Sequence, residues 1–151
     1  MGFRHEIRTE TQIDGTADEV WAVLTDFGSY GAWNPGMEDI QGEAKAGTRL
    51  TIRFSLNGGR TMTMKPTVLV AEPGRELRWL GRFLIPGLFD GEHRFEIVET
   101  APGRVTFVQG ERFKGLLVPF LGKLFVDTAA TFAKVNEALA RRVAARRQEV
   151  V

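Results

Sequence analysis

Apolar and polar residues alternate along much of the first 110 residues, which is the period of β-strands with one buried face. Turn-forming residues separate consecutive runs, so neighbouring strands are expected to pair as hairpins. The pattern predicts an antiparallel sheet of about six or seven strands, apolar on one face and polar on the other. The alternating runs occupy residues 7–13, 50–56, 62–70, 77–83, 95–97 and 105–107, and the turns fall at Asn57-Gly58-Gly59, Pro73-Gly74 and Pro102-Gly103.

Between the first and second runs the pattern changes to that of a helix. Thr16 and Glu19 form the T-x-x-E sequence of a capping box, which predicts a helix from Thr16 to about Asp26. A second short turn of helix is expected over residues 30–33. Asn34-Pro35 ends it, because the residue before a proline disfavours helical backbone.

The end of the chain has apolar residues at helical spacing, and it predicts one long amphipathic helix from about residue 119 to 148. Such a helix is long enough to lie across the apolar face of the sheet. The order of strand, two short helices, several antiparallel strands and one long helix predicts an α+β two-layer domain. The apolar stripe consists of Leu121, Leu124, Phe125, Thr128, Phe132, Val135, Leu139 and Val143.

Two interrupted apolar segments allow two interpretations each. The stretch VWAVLTDFGSYGAWNP, residues 20–35, places Phe27, Tyr30 and Trp33 among glycines and a proline. These aromatic side chains either fill the core between short helices or form the rim of a cavity. The stretch GRFLIPGLFDG, residues 81–91, is either a bulged connection between strands or a second flap over such a cavity.

Composition narrows the functional classes. A length of 151 residues suits one domain spanning 1–151, and the net charge of +1 argues against nucleic acid as a partner. There is no cysteine, no run of 18 apolar residues and no apolar segment typical of a signal peptide in residues 1–15. We therefore expect a cytoplasmic protein without stable membrane insertion. Its oligomeric state is left open, with a homodimer as one option.

Motifs for metal or cofactor chemistry are missing from the sequence. His5 and His93 are the only histidines, and they do not fall in an H-x-x-x-H or H-E-x-x-H pattern. No phosphate-binding loop and no G-x-S-x-G sequence is present. We therefore expect no metal site and no cofactor.

The last predicted hairpin brings polar residues onto the inward face. If Ile97 faces Phe107, then His93 faces Glu111, and Gln109 points the same way by alternation. Buried polar groups need partners, so these three must pair with one another, with water or with a ligand. Three roles stay open for them: a structural pair, a polar anchor for a ligand, or an acid/base pair for proton transfer.

These features resemble the START/Bet v 1-like superfamily with its helix-grip fold, and most closely its bacterial polyketide cyclase/dehydrase-like branch. The similarity rests on VWAVLTDFGSYGAWNP, the run of hairpins, HRFEIVE, ERFKGLLVP and the terminal amphipathic helix. The resemblance implies a curved sheet that grips the long helix and leaves a cavity between them. Members of this superfamily bind sterols, lipids, hormones or polyketides, and a minority are cyclases.

The sequence and the resemblance together predict binding of a small hydrophobic or amphipathic molecule, lipid- or polyketide-like, in that cavity. One alternative is a polyketide cyclase/aromatase-like enzyme that uses His93 and Glu111. Another is a structural domain with a filled core and no ligand. The candidate ligand-binding residues are Leu24, Phe27, Trp33, Phe54, Met64, Trp79, Phe83, His93, Phe95, Gln109, Glu111, Phe113, Leu117, Phe125, Thr128 and Phe132.

Overall fold

The structure is a computed structural model, and it describes residues 3–55 and 59–149. Those residues form eight β-strands and two α-helices, with short 3₁₀ helices between them. The order is β1 Arg4–Asp14, α1 Ala17–Thr25, a 3₁₀ helix Phe27–Ala32, β2 Met37–Gln41, β3 Thr51–Ser55, β4 Thr61–Met64, β5 Thr67–Glu72, β6 Glu76–Arg82, β7 Asp90–Ala101, β8 Arg104–Lys114, a 3₁₀ turn Val118–Phe120 and α2 Gly122–Glu149.

The strands form antiparallel sheets, as the hairpin pattern predicts. One sheet has five strands in the order β1-β8-β7-β6-β5, and the other has three in the order β2-β3-β4. A bridge between Arg49 and Thr67 joins the residues just before β3 to the start of β5. The long helix α2 packs on the sheet, and the short helices follow β1. The predicted α+β helix-grip architecture is therefore confirmed.

The number of strands differs from the prediction for two reasons. The run 62–70 is not one strand, because it is divided at Pro66 into β4 and β5, which belong to different sheets. Proline has no N–H to donate to a ladder, so it ends a strand. The strand β2 was not predicted, because a register shift between Met37 and Asp39 breaks its alternation. Leu56 and the Asn57-Gly58 part of the predicted turn lie outside the described residues.

The capping box forms as predicted. Thr16 Oγ1 accepts a hydrogen bond from the Glu19 N–H at 3.1 Å, and Glu19 Oε1 accepts one from the Thr16 N–H at 2.8 Å. The second short helix begins at Phe27 rather than at Tyr30 and is a 3₁₀ helix. The Tyr30 hydroxyl donates a hydrogen bond back to the carbonyl of Leu24, and this bond ties the two short helices together.

The helix α2 has 28 residues, so it is about 42 Å long at 1.5 Å per residue. Most of the predicted apolar stripe is buried, although Leu124 stays 41% exposed. The buried side chains form two clusters. The larger one holds Leu139 and Val143 of α2, and the smaller one surrounds Phe125 and Phe132 nearer the start of that helix.

Candidate ligand-binding cavity

A cavity of about 270 Å³ lies between the sheets and α2. This volume is close to the lower end of the range usual for small-molecule sites. Its walls come from β2, β3, β4, β6, β7, β8 and α2, and they draw on both core clusters. The lining residues are Gly36, Met37, Phe54, Ser55, Met62, Met64, Pro66, Trp79, Gly81, Phe89, Gly91, His93, Gln109, Glu111, Phe113, Leu124, Asp127, Thr128, Thr131, Phe132 and Val135.

Two glycines keep part of this space open. Gly81 on β6 pairs with Gly91 on β7, and both line the cavity. A Cβ atom at residue 91 would lie only 2.2 Å from Glu111 Oε2, and one at residue 81 would lie 2.9 Å from Met64 Cε. Glycine within a strand often marks a place where another group approaches the backbone closely. Here the bare strand positions leave room for the Glu111 carboxylate and for the Met64 side chain.

The predicted polar pair occurs in this cavity. The register pairs Ile97 with Phe107 and His93 with Glu111, which confirms the predicted strand alignment. His93 Nδ1 lies 3.5 Å from Glu111 Oε1. The His93 side chain is almost fully buried, and the Glu111 side chain keeps 17% of its surface exposed.

A chain of buried hydrogen bonds continues from the other side of the imidazole ring. His93 Nε2 lies 2.9 Å from Gln109 Oε1, and Gln109 Nε2 donates to Asn136 Oδ1 at 2.7 Å. Asn136 Nδ2 donates to Thr9 Oγ1 at 2.8 Å, and that hydroxyl donates to the Gln109 carbonyl at 2.7 Å. We call Thr9, Asn136, Gln109 and His93 the relay. It joins β1, α2, β8 and β7 beneath the cavity.

The relay determines which nitrogen of His93 carries a hydrogen. A backbone carbonyl only accepts, so the Thr9 hydroxyl must donate to it and must accept from Asn136 Nδ2. The Asn136 oxygen then accepts from Gln109 Nε2, which leaves Gln109 Oε1 as the acceptor that faces His93. The Nε2 atom of His93 therefore carries a hydrogen, and when the ring is neutral its Nδ1 is an acceptor that faces Glu111.

The structure separates the predicted ligand-binding residues into two groups. Phe54, Met64, Trp79, His93, Gln109, Glu111, Phe113, Thr128 and Phe132 line the cavity. The others lie outside the lining: Leu24, Phe27, Trp33 and Phe95 pack in the larger core cluster, Phe125 packs in the smaller one, Leu117 is half-buried and Phe83 is 45% exposed. Binding of a ligand by any of these residues stays a prediction.

The interrupted aromatic segment belongs to the core. Phe27 and Tyr30 are buried and make an edge-to-face contact with ring centroids 5.7 Å apart, and Trp33 packs against Tyr30. None of residues 20–35 lines the cavity, whereas Gly36 and Met37, which follow them, do. A helix made of short, interrupted turns lets these rings point into one cluster, and the alternative of core packing accounts for them.

The second interrupted segment, 83–88, is largely exposed. Leu84 and Ile85 are 78% and 62% exposed, and Leu84 has a φ of +63°, which is uncommon for a bulky residue. Backbone hydrogen bonds join the segment to the residues after β8, from the N–H of Leu116 to the carbonyl of Gly87 and from that of Leu117 to the carbonyl of Leu88. Phe89, the next residue, turns inward, lines the cavity and stacks on Phe113. A role for this segment as a flap stays a prediction.

Sequence reasoning missed several residues of the site. Asn136 and Thr9 complete the relay, and Asp127 reaches the cavity from α2. Gly81 and Gly91 were not singled out either. Three of these residues could have been found from the sequence. Asn136 is a polar residue at helical spacing within an apolar stripe, and Gly81 and Gly91 occupy inward positions of alternating strands.

A larger concavity of about 610 Å³ lies on the surface between α1 and the last turns of α2. Ion pairs bridge these two helices, from Arg147 to Glu19 at 3.1 Å and from Arg146 to Asp26 at 3.9 Å. This groove is open to solvent and lacks the relay, so we place the candidate site in the inner cavity.

In residues 3–55 and 59–149 no three potential metal-ligating side chains lie close enough together to hold a metal ion. No helix of that part of the chain is long and apolar enough to cross a membrane.

Comparison with family models matches residues 4–148 to the family described as polyketide cyclase / dehydrase and lipid transport. The chain belongs to this family. The match covers nearly the full sequence, so all the elements that form the cavity fall within the family domain. No protein of curated function has significant sequence similarity to the chain.

Solved structures of this family's fold are similar over almost the whole chain. The Zhui aromatase/cyclase from Streptomyces sp. R1128 has a TM-score of 0.76 at 15% identity, with 95% of each chain covered. A START superfamily protein from Mycobacterium smegmatis has a TM-score of 0.72 at 19% identity, covering 93% of this chain and 97% of that one. A norcoclaurine synthase mutant from Thalictrum flavum has a TM-score of 0.74 at 14% identity, covering 95% and 96%. At these identities the likeness shows the fold alone.

Proposed function

We propose that this family member binds a small hydrophobic or amphipathic molecule in the cavity between the sheet and α2. The single observation that carries the proposal is an open space of about 270 Å³ whose walls are mostly apolar and which also contains His93 and Glu111. Protein interiors are close-packed, and voids larger than a water molecule are few. A cavity this large, with glycines at two inward strand positions, supports a binding site rather than a filled structural core.

The polar residues give the proposed ligand an orientation. His93, Gln109 and Glu111 lie on adjacent strands at one wall, whereas Phe54, Met64 and Phe132 provide apolar surface. Ligand sites in proteins commonly combine apolar walls with a few placed polar groups. The apolar part of the ligand would therefore contact the aromatic side chains, and its polar end would hydrogen-bond near His93 and Glu111.

Binding of a neutral fluorescent probe, phenylnaphthylamine, tests this proposal. Thr128 on α2 lines the cavity, so Thr128→Phe should fill part of the space and weaken binding by about ten-fold or more. Ala133→Phe is the matched control, because Ala133 is exposed on the same helix and lies outside the lining. Equal affinity of the two variants, or no binding to the wild-type chain, would reject the cavity as the site.

A second candidate is an enzyme of the cyclase/aromatase type, and the contact between His93 and Glu111 favours it. Ring closure of a poly-β-ketone forms a bond between an α-carbon and a carbonyl carbon. The α-proton passes to a base, and the new alkoxide takes up a proton. An imidazole next to a carboxyl group suits both transfers. Incubation with a linear poly-β-ketone should then yield a cyclic product, and both His93→Gln and Glu111→Gln should abolish its formation while the probe still binds.

A further inference from the structure

The permanently charged side chains that line the cavity in the described part of the chain are all acidic. Glu111 and Asp127 contribute carboxylates to the lining, and among the described residues no lysine or arginine does. The residues that the structure does not describe, 1–2, 56–58 and 150–151, include no lysine or arginine in the sequence. No cationic side chain is therefore placed to receive a carboxylate or phosphate group of a ligand.

The basic residues that follow Glu111 along β8 point away from the cavity. Arg112 and Lys114 are exposed, and Arg112 pairs with Glu6 on the outer face at 3.1 Å. Alternation along the strand forces this arrangement, because neighbouring side chains project to opposite faces. In the described part of the chain, the one basic side chain beside the Glu111 carboxylate is His93, whose Nδ1 lies 3.5 Å from Oε1, and this contact is an ion pair only when the imidazole is protonated.

When the His93 ring is neutral, the inner end of the cavity is a pair of hydrogen-bond acceptors. The relay then places the ring hydrogen on Nε2, so Nδ1 accepts. Glu111 Oε1, at 3.5 Å from Nδ1, is also an acceptor when the carboxyl group is ionised. Two acceptors this close are complementary to one group that donates to both.

Because Gly91 has no side chain, the Glu111 carboxylate has room to lie against the backbone of β7. A Cβ atom at residue 91 would lie 2.2 Å from Glu111 Oε2, closer than any non-bonded contact allows. In its observed conformation the Glu111 carboxylate thus occupies space that a side chain at residue 91 would need. Asp127 adds a second negative charge on α2, where its side chain is exposed and its field is screened by solvent.

We infer that the ligand of this cavity carries a cationic hydrogen-bond donor, a protonated amine, at its polar end, and not a carboxylate or phosphate. This inference rests on the proposed function. An ammonium group donates to Nδ1 of His93 and to the Glu111 carboxylate at once, and it neutralises the latter. An anionic group at the same place meets two acceptors and a like charge in a site of low dielectric constant.

Three probes with one apolar body test the charge preference by calorimetry at pH 7: naphthylethylamine, naphthylethanol and naphthylacetate. We expect the amine to bind about ten-fold or more tightly than the carboxylate, with the alcohol between them. Glu111→Gln should weaken binding of the amine about ten-fold and change that of the alcohol less than about two-fold. Glu99→Gln removes a carboxylate from the exposed end of β7 and serves as the matched control.

The outcomes separate the two proposals. Carboxylate binding as tight as amine binding, or an equal loss of amine and alcohol affinity in Glu111→Gln, overturns the charge preference and leaves the cavity as a binding site. Failure of all three probes to bind the wild-type chain overturns the proposed function, and the charge preference falls with it. A melting curve of Glu111→Gln that matches the wild type shows that the fold is intact.

Nitrogen-15 spectra of the imidazole rings check the acceptor pair directly. The chain has two histidines, so a His5→Gln variant leaves His93 as the one ring observed. In the free protein we expect the hydrogen on Nε2 and none on Nδ1, with a shift of the Nδ1 signal when naphthylethylamine binds. A hydrogen on Nδ1 in the free protein would overturn the inference.

Discussion

At the scale of single residues, the buried side-chain amides of Gln109 and Asn136 contribute hydrogen bonds as well as packing. Gln109 and Asn136 have no exposed surface, and they hydrogen-bond each other beneath the cavity. In the described part of the chain every buried side-chain nitrogen and oxygen has a hydrogen-bond partner. Removal of one member of the relay therefore takes hydrogen-bond partners away from buried polar groups, which costs more than loss of one surface hydrogen bond.

Asn136→Leu tests this argument. The substitution keeps a similar volume but removes the acceptor of the 2.7 Å hydrogen bond from Gln109 Nε2 and the donor to Thr9 Oγ1, so we expect a loss of about 1–3 kcal/mol in unfolding free energy. Gln12→Leu is the control, because Gln12 donates an exposed hydrogen bond to Thr106 and its loss should cost less than about 0.5 kcal/mol. Urea denaturation measures both values, and equal losses would show that the relay adds nothing to stability.

At the scale of elements, two kinds of contact stabilise α1: a capping box at its start and ion pairs to the end of α2. The capping box at Thr16 and Glu19 satisfies free N–H groups at its start. Glu19 and Asp26 also pair with arginines at the end of α2. These pairs are exposed, so each adds little, and we assign the start of α1 mainly to its cap.

Thr16→Ala should destabilise the protein by about 1 kcal/mol, because the N–H of Glu19 loses its acceptor. Ser29→Ala is a suitable control, since Ser29 is half-buried in the following 3₁₀ helix and lies away from the start of α1. Both variants are compared by urea denaturation at pH 7. A Thr16→Ala variant as stable as Ser29→Ala would mean that tertiary packing alone holds the start of the helix.

At the scale of the whole molecule, the two core clusters share one long helix and face a common cavity. Leu139 and Val143 of α2 belong to the larger cluster, and Phe125 and Phe132 belong to the smaller one. Tyr30 sits in the larger cluster, fully buried. Burial, reinforced by the charge of Asp26, raises the pKa of Tyr30 far above its ordinary value of 10.0, so its phenol ionises only when the core opens.

The sign of the resulting pH dependence follows from linkage. Above pH 10 the unfolded chain loses the phenol proton while the folded chain keeps it, so stability falls as pH rises, by up to about 1.4 kcal/mol per pH unit from this group. Tyr30→Phe should be less stable than the wild type at pH 7, because the Leu24 carbonyl loses its donor. The difference between the two proteins should shrink as pH rises above 10.

Tyr30 is the one tyrosine in the chain, so phenolate absorbance reports on it alone. We expect no phenolate signal from the folded protein at pH 11 and a signal that appears together with unfolding at higher pH or in urea. The circular dichroism of the helices gives the fraction folded under the same conditions. A phenolate signal at pH 11 while the helices remain intact would contradict the raised pKa.

Local patterns in the sequence predicted most of the secondary structure and one long-range feature of the site. The alternation along β7 and β8, together with the turn between them, correctly placed His93 opposite Glu111 on the inward face. Patterns of this kind act over a few residues, so they are readable without a fold. The strand β2 escaped prediction because its bulge breaks the alternation, and Pro66 divided a run that alternation alone had joined.

Propensity and periodicity are properties of neighbouring residues, so they were enough to predict the helices, most of the strands, the faces these elements bury and the inward positions of His93, Gln109 and Glu111. That Thr9 and Asn136, which lie 127 residues apart, meet in the relay depends on how the whole chain folds. The tertiary structure also decided that Phe27 and Tyr30 fill the core while Gly81 and Gly91 leave a cavity. The physical reason is that the volume of a cavity is the space enclosed by the sheets and helices minus the volume of the side chains that fill it. That small difference depends on how segments distant in the sequence pack together.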